Sequence, residues 1–112
     1  MIEKTVRDYL AEALAPVPVK LELPPDPPAR ILVIQKTGSG SADGLLTAAF
    51  ALQSYGPSLY EASRLNEQAK AAAEGLTELG EIAGVRLNSD YPYPDTDTKR
   101  HRYQAVYDIY HY

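Results

Sequence analysis

Residues 58–79, SLYEASRLNEQAKAAAEGLTEL, decide how the rest of the chain must be arranged. Ser58, Leu59, Tyr60 and Glu61 fit a capping box, in which a serine hydroxyl accepts from an early backbone N–H and the glutamate reaches back. From there Leu59, Ala62, Leu65, Ala69, Ala72, Leu76 and Leu79 advance in steps of three or four, while Glu61, Arg64, Glu67, Gln68, Lys70 and Glu74 supply a polar face. The spacing predicts one long helix that ends near Gly80, with an alanine-rich stripe that lets it lie close to a sheet.

Strands are expected on both sides of this helix. Upstream, residues from about Leu45 to Tyr55 set Ala48, Phe50 and Leu52 against Thr47, Ala49, Ala51 and Gln53. The alanines compete for helix, but the flanking glycines and Gly56-Pro57 favour strand. Ile31 to Ile34 is a continuous apolar run that suits a central strand covered on both faces, and the more polar Gln35, Lys36 and Thr37 follow it. Between these two strands, Gly38, Ser39, Gly40, Ser41, Ala42, Asp43 and Gly44 read as a mobile loop, being small, polar and costly to order. Val17, Val19, Leu21 and Leu23 alternate with Lys20 and Glu22 as a first strand, placed at an edge by Pro18. The PPDPP run, Pro24 to Pro28, is a stiff link without most of its backbone donors.

At the N-terminus, Ile2, Val6, Leu10 and Leu14 recur at helical spacing among charged residues, and Pro16 stops the pattern. Downstream of the long helix, Glu81 to Tyr91 reads as a strand. The last segment then alternates Tyr103, Ala105, Tyr107, Ile109 and His111 with Arg102, Gln104, Val106, Asp108, Tyr110 and Tyr112. The expected fold is a single α+β domain over residues 1–112, in the order α-β-β-β-α-β-β. It is a two-layer sandwich with a mostly antiparallel sheet, made of a three-stranded meander and a C-terminal hairpin, and both helices lie on one face.

A net charge of −4 on 112 residues argues against a general nucleic-acid binder. The absence of cysteine removes disulfides, thiolate metal sites and cysteine nucleophiles, and suggests a cytoplasmic origin. No apolar run approaches the roughly 18–20 residues of a membrane span. Lys99, Arg100, His101 and Arg102 form the one dense basic cluster, and following Asp95 and Asp97 they read as a solvated hairpin tip.

Motifs that could carry chemistry fail at particular residues. TGSGSADG resembles a phosphate cradle, but Leu45 and Leu46 stand where a P-loop needs a lysine and a hydroxyl residue. Neither Ser39 nor Ser41 is framed as a nucleophile elbow. His101 and His111 are the available imidazoles, one in a charged tip and the other at the chain end. Asp90, Asp95 and Asp97 with Thr96 and Thr98 lack the glycine and terminal glutamate of a calcium loop. No catalytic residue, cofactor or metal is therefore expected. The nine tyrosines suit broad contact surfaces; Tyr103 and Tyr107 belong to the expected core face, and Tyr110 and Tyr112 to the opposite, interface-prone one.

The segment IQKTGSGS, the run FALQSYGPSLYEASRLNEQAK and the ending LNSDY…TKRHRYQAVYDIYHY together resemble small tail proteins of long-tailed phages and prophages of Gram-positive bacteria, in the tail terminator or tail-completion group. The resemblance covers nearly the whole chain and carries no catalytic signature. It implies a structural protein, monomeric or weakly associated alone, that forms a hexameric ring at the head-proximal end of the tail tube. Its implied partners are further copies of itself, the tail tube protein and the head connector or neck protein, with DNA passing through the ring without sequence-specific contact. It implies residence in the host cytoplasm during assembly and then in the virion tail. The self-assembly role falls on Gly38, Ser39, Gly40, Ser41, Asp43 and Gly44, and more weakly on Asp95, Asp97, Lys99, Arg100, Arg102, Tyr110 and Tyr112. Another head-tail adaptor role, or a small ligand-binding module or hydrolase, are the alternatives the residues leave open.

Overall fold

A computed structural model describes residues 1–112. The elements are α1 (Ile2–Leu14), β1 (Val19–Lys20), β2 (Ile31–Ala42), β3 (Leu45–Gly56), α2 (Leu59–Glu74), β4 (Ile82–Pro92) and β5 (His101–His111), which is the expected α-β-β-β-α-β-β order. The five strands form one sheet in the order β1-β2-β3-β5-β4. Both helices pack on one face, where Val6 and Leu10 of α1 and Ala69 and Ala73 of α2 meet Leu32, Ile34, Phe50, Leu52, Tyr107 and Ile109 of the sheet. The alternation expected of β3 holds, with Ala48, Phe50 and Leu52 in this core.

The capping signal of α2 is half realised. Ser58, extended at φ −142°, accepts from the Glu61 N–H at 3.1 Å, but the Glu61 carboxylate turns instead toward Arg30 Nε, 3.8 Å away. The helix also stops earlier than Gly80. It ends at Gly75, and a single 3₁₀ turn (Gly75–Glu78) tightens the chain while keeping Leu76 buried. Asn66 and Lys70 fasten α2 to the edge strand β4: Asn66 Nδ2 donates to Asp90 at 2.7 Å, and the Lys70 ammonium pairs with the same carboxylate. Those contacts, first the hydrogen bond to Asp90 and then the one to Glu67, hold the Lys70 pKa above its ordinary value.

Two expectations are corrected. The first three strands are not a meander, because β1 runs parallel to β2, pairing Val19 with Leu32 and Lys20 with Val33. Since β1 is only two residues long, residues 21–30 suffice to carry the chain back to the start of β2. Nor do Gly38 to Gly44 form a loop. β2 continues through Ala42 and β3 begins at Leu45, so the pair is a long hairpin turned by Asp43 and Gly44 at φ 52° and 81°. Positive φ at both turn positions is the type I′ signature, which Asp-Gly favours and whose twist matches the strands. The pairing from Gly38↔Ala49 to Ala42↔Leu45, after a bulge between Lys36 and Gly38, supplies the order that composition alone did not.

The expectation for Ile31–Ile34 holds, since all four residues are buried. Leu32 and Ile34 enter the helix-side core, whereas Ile31 and Val33 join Tyr55 in a small cluster on the other face, against Leu23, which precedes the proline-rich link. The chain turns from β3 into α2 at Gly56, where a Cβ would lie 2.5 Å from the Ala62 nitrogen and 2.8 Å from the Glu61 carbonyl carbon. Gly80 has open space around it. Gly56→Ala is therefore expected to cost at least about 1–3 kcal/mol, the usual range for overpacking, while Gly80→Ala stays within about 0.5 kcal/mol; urea denaturation of the two variants checks the contrast.

Candidate functional site

The surface residues singled out in the sequence fall at two opposite ends of the sheet. Gly38, Ser39, Gly40 and Ser41 form the outer half of β2, and Asp43 and Gly44 turn its hairpin. Every residue from Gln35 to Gly44 is exposed. β1 covers the outer edge of β2 only at Leu32 and Val33, so Gln35–Ala42 presents an unpaired edge. The molecule is elongated, 42 × 24 × 23 Å, and the turn at Asp43 and Gly44 lies just past the end of β5 at His111.

The opposite end holds the connection between β4 and β5, and here the solvated-tip reading is corrected for three residues. Arg100 reaches across to the proline-rich link and donates to the carbonyls of Pro27 (3.2 Å) and Pro28 (3.0 Å). Arg102 donates from Nε to the Tyr93 carbonyl at 2.7 Å and from Nη1 to the Tyr55 hydroxyl at 3.0 Å. Its guanidinium also lies 4.3 Å from the Tyr93 ring centroid and 5.6 Å from that of Tyr55, within cation–π range. Asp95 completes the knot. Its carboxylate accepts from the N–H groups of Asp97 (3.1 Å) and Thr98 (3.3 Å) and stands 3.8 Å from Arg102. Desolvation pushes the Asp95 carboxyl up, but hydrogen bonds from Thr98 and Asp97 and the Arg102 charge outweigh it and hold the pKa below its ordinary value. Asp95, Arg100 and Arg102 thus tie the link, β3 and the hairpin tip together; Asp97 and Lys99 remain exposed, Lys99 at a positive φ of 56°.

The tyrosines divide between core and surface. Tyr107 is buried and its hydroxyl donates to the Lys70 carbonyl at 3.3 Å; burial and then the nearby Glu74 carboxylate push its pKa up to about 12. Tyr103 and Tyr110 are half-buried and Tyr112 is exposed, as are Tyr60, Tyr91 and Tyr93. A row not anticipated from sequence crosses the face away from the helices. Gln53 Nε2 donates to Gln104 Oε1 at 2.9 Å, and Gln104 Nε2 donates to the Tyr91 hydroxyl at 2.6 Å. Gln53 and Gln104 are directly opposed in the β3–β5 register, and Gln104 faces Tyr91 across β5–β4, so only the pairing reveals the row.

His101 and His111 stand at opposite ends of β5, paired with Gly56 and Leu46 respectively. Ten strand residues put them roughly 33 Å apart, so they do not converge on one site. An open groove of about 580 Å³ between the end of α1 and α2 is lined by residues that include Leu14, Pro16, Val17, Arg30, Gln68 and Ala72. No three His, Cys, Asp or Glu side chains cluster at metal-binding range, and no helix is long and apolar enough to cross a membrane.

No protein family model matches the chain, and no curated protein matches it. Among solved structures, a chain of the "Virion of native gene transfer agent (GTA) particle" aligns with 98% of this chain and 90% of its own length, at 14% identity and a TM-score of 0.48. At that level of likeness no residue role is transferred.

The Asp95 knot has a pH signature. A carboxylate whose folded pKa is depressed contributes stability that is fully present above its unfolded pKa, about 3.9, and is lost as pH falls through the folded value. Asp95→Asn is therefore expected to lower Tm at pH 7, with the gap to the unmodified protein narrowing as pH drops below about 4. Thermal melts of both proteins across pH 2.5–7 test this; a gap independent of pH would mean that the Asp95 charge contributes nothing.

Proposed function

We propose that this chain is a structural protein of a phage-type virion, a tail terminator that closes into a ring on the tail tube and joins it to the head connector, and that it works by assembly without catalysing a reaction. The observation that carries this reading is the unpaired, exposed outer half of β2, an edge that is left open in the single chain and that further copies would cover. Beyond Lys36 and the bulge, Gly38–Ala42 carries neither charge nor proline to guard it, and open edges template association. The resemblance of IQKTGSGS, FALQSYGPSLYEASRLNEQAK and LNSDY…TKRHRYQAVYDIYHY to tail terminators supports the same role.

In this reading the ring is head-to-tail: one patch of each subunit meets a different patch on the next, and closure follows from the rotation between them. Six copies are proposed, with the tail tube protein below, the neck protein above and DNA passing through the centre. A net charge of −4 is compatible with a channel through which DNA passes without sticking. Assembly would take place in the host cytoplasm and the product would reside in the virion tail.

Purified protein is expected to be monomeric or weakly associated at low concentration and to form rings at high concentration or with tail tube protein, as seen by mass measurement and negative-stain microscopy. Monomers under every such condition would overturn the proposal. Localisation at the head-proximal end of the tube in purified particles would separate a terminator from another neck adaptor.

A further inference from the structure

We infer that the ring is closed by strand pairing, with the outer edge of β2 in one copy joined antiparallel to the outer edge of β4 in the next, so that a single sheet runs from subunit to subunit. This rests on the ring proposed above and specifies the contact that makes it.

The inference comes from the phase of the sheet. Leu32 donates outward to the Pro18 carbonyl at 3.0 Å, so Ile34 and Lys36 also point their backbone groups outward. Beyond the bulge, Ala42 and Leu45 flank the two-residue turn as an inward-bonded pair. Alternation then turns the groups of Ser39 and Ser41 outward as well. On the far edge, the Tyr93 N–H donates inward to the Arg102 carbonyl at 2.8 Å, and counting back through the β4–β5 register leaves Leu87 and Val85 facing outward.

The registers place these groups level with one another. Ser39 pairs with Ala48, Ala48 with Ile109, and Ile109 with Val85; in the same way Lys36 leads through Phe50 and Tyr107 to Leu87. The free stretch of β2 is thus level with the first part of β4, and outward groups lie in the same rows on both edges. Four strands, β2, β3, β5 and β4, separate one edge from the other, each antiparallel to its neighbour. An even number makes the outer two run in opposite directions. A copy rotated about an axis along the strands therefore offers β4 to β2 antiparallel, in the correct hydrogen-bonding phase and with its helices on the same side.

The β2 edge is built for close approach. Gly38, Ser39, Gly40 and Ser41 are small, no proline lies between Gln35 and Ala42, and Lys36 is the one charged side chain there. The β4 edge carries an exposed Leu87 in the row of Lys36. Thr37 would remain in a bulge at the junction, as it does against β3.

Two experiments decide the matter. Within one subunit Ser39 and Val85 are three strand spacings, about 14 Å, apart, too far for a disulfide. The chain has no cysteine of its own, so the double variant Ser39→Cys, Val85→Cys under oxidation of assembled protein is expected to give a ladder of covalent multimers, whereas Ser39→Cys with Tyr60→Cys gives none. Separately, the double variant Ser39→Pro, Ser41→Pro removes two outward donors and no β2–β3 bond; it is expected to keep the circular dichroism spectrum and Tm of the monomer while weakening assembly at least tenfold. Rings that persist in the proline variant and fail to cross-link through Ser39 and Val85 would overturn this edge pairing and leave the ring standing. Failure of the unmodified protein to assemble under any condition would overturn both.

Discussion

The rest of the structure depends on β3, which is hydrogen-bonded along nearly its whole length to β2 on one side and β5 on the other. Once both its edges are satisfied, its side chains must alternate between the two faces, and that alternation decides where everything else goes. Phe50 and Leu52 on one face give the helices something to cover, and a buried aromatic ring in such a position typically contributes several kcal/mol. Tyr55 and Gln53 on the other face cannot be left bare, and they acquire Leu23, Arg102 and Gln104 as neighbours. The strand also fixes the turn into α2, because its final residue, Gly56, touches the backbone of the helix it launches.

Most of the fold was legible because its signals were periodic and local. The apolar stripe of α2, the two-residue alternation of β3 and β5, and the proline stops after α1 each follow from the geometry of a single element. What escaped was non-local or hidden by composition. Glycine and serine at positions 38–41 have weak strand preference, and their order comes from pairing with residues 46–49 across a turn. The Asp43-Gly44 dipeptide was the available signal for that turn. The parallel β1 follows from its having only two residues, a length that alternation over 17–23 overstated.

The surface was less legible than the fold. Arg100 and Arg102 stand in a basic run that composition assigns to solvent, yet their partners are Pro27, Pro28, Tyr55 and Tyr93. The proline carbonyls lie 72 and 73 positions earlier in the chain, a separation at which single-sequence patterns carry no information. The same holds for Gln53, Gln104 and Tyr91, whose side chains meet only because three strands align. For the outer half of β2, composition marks the small residues but not their conformation, and it is the conformation that makes the segment a defined edge.

The clasp around Arg102 gives the molecule a direction along which it loosens. Residues from the link, the end of β3 and both arms of the last hairpin are tied at one pole by charge-assisted bonds, so opening any of these segments there means releasing the others too. At the far pole β2 is bonded on one side only, to β3, and its residues from Gln35 to Gly44 are exposed, with the turn at Asp43 and Gly44 reaching past the end of β5. Thermal fraying accordingly starts at the outer half of β2 and its turn and travels toward the clasp, which makes that strand the segment that a neighbouring molecule would quieten most on contact.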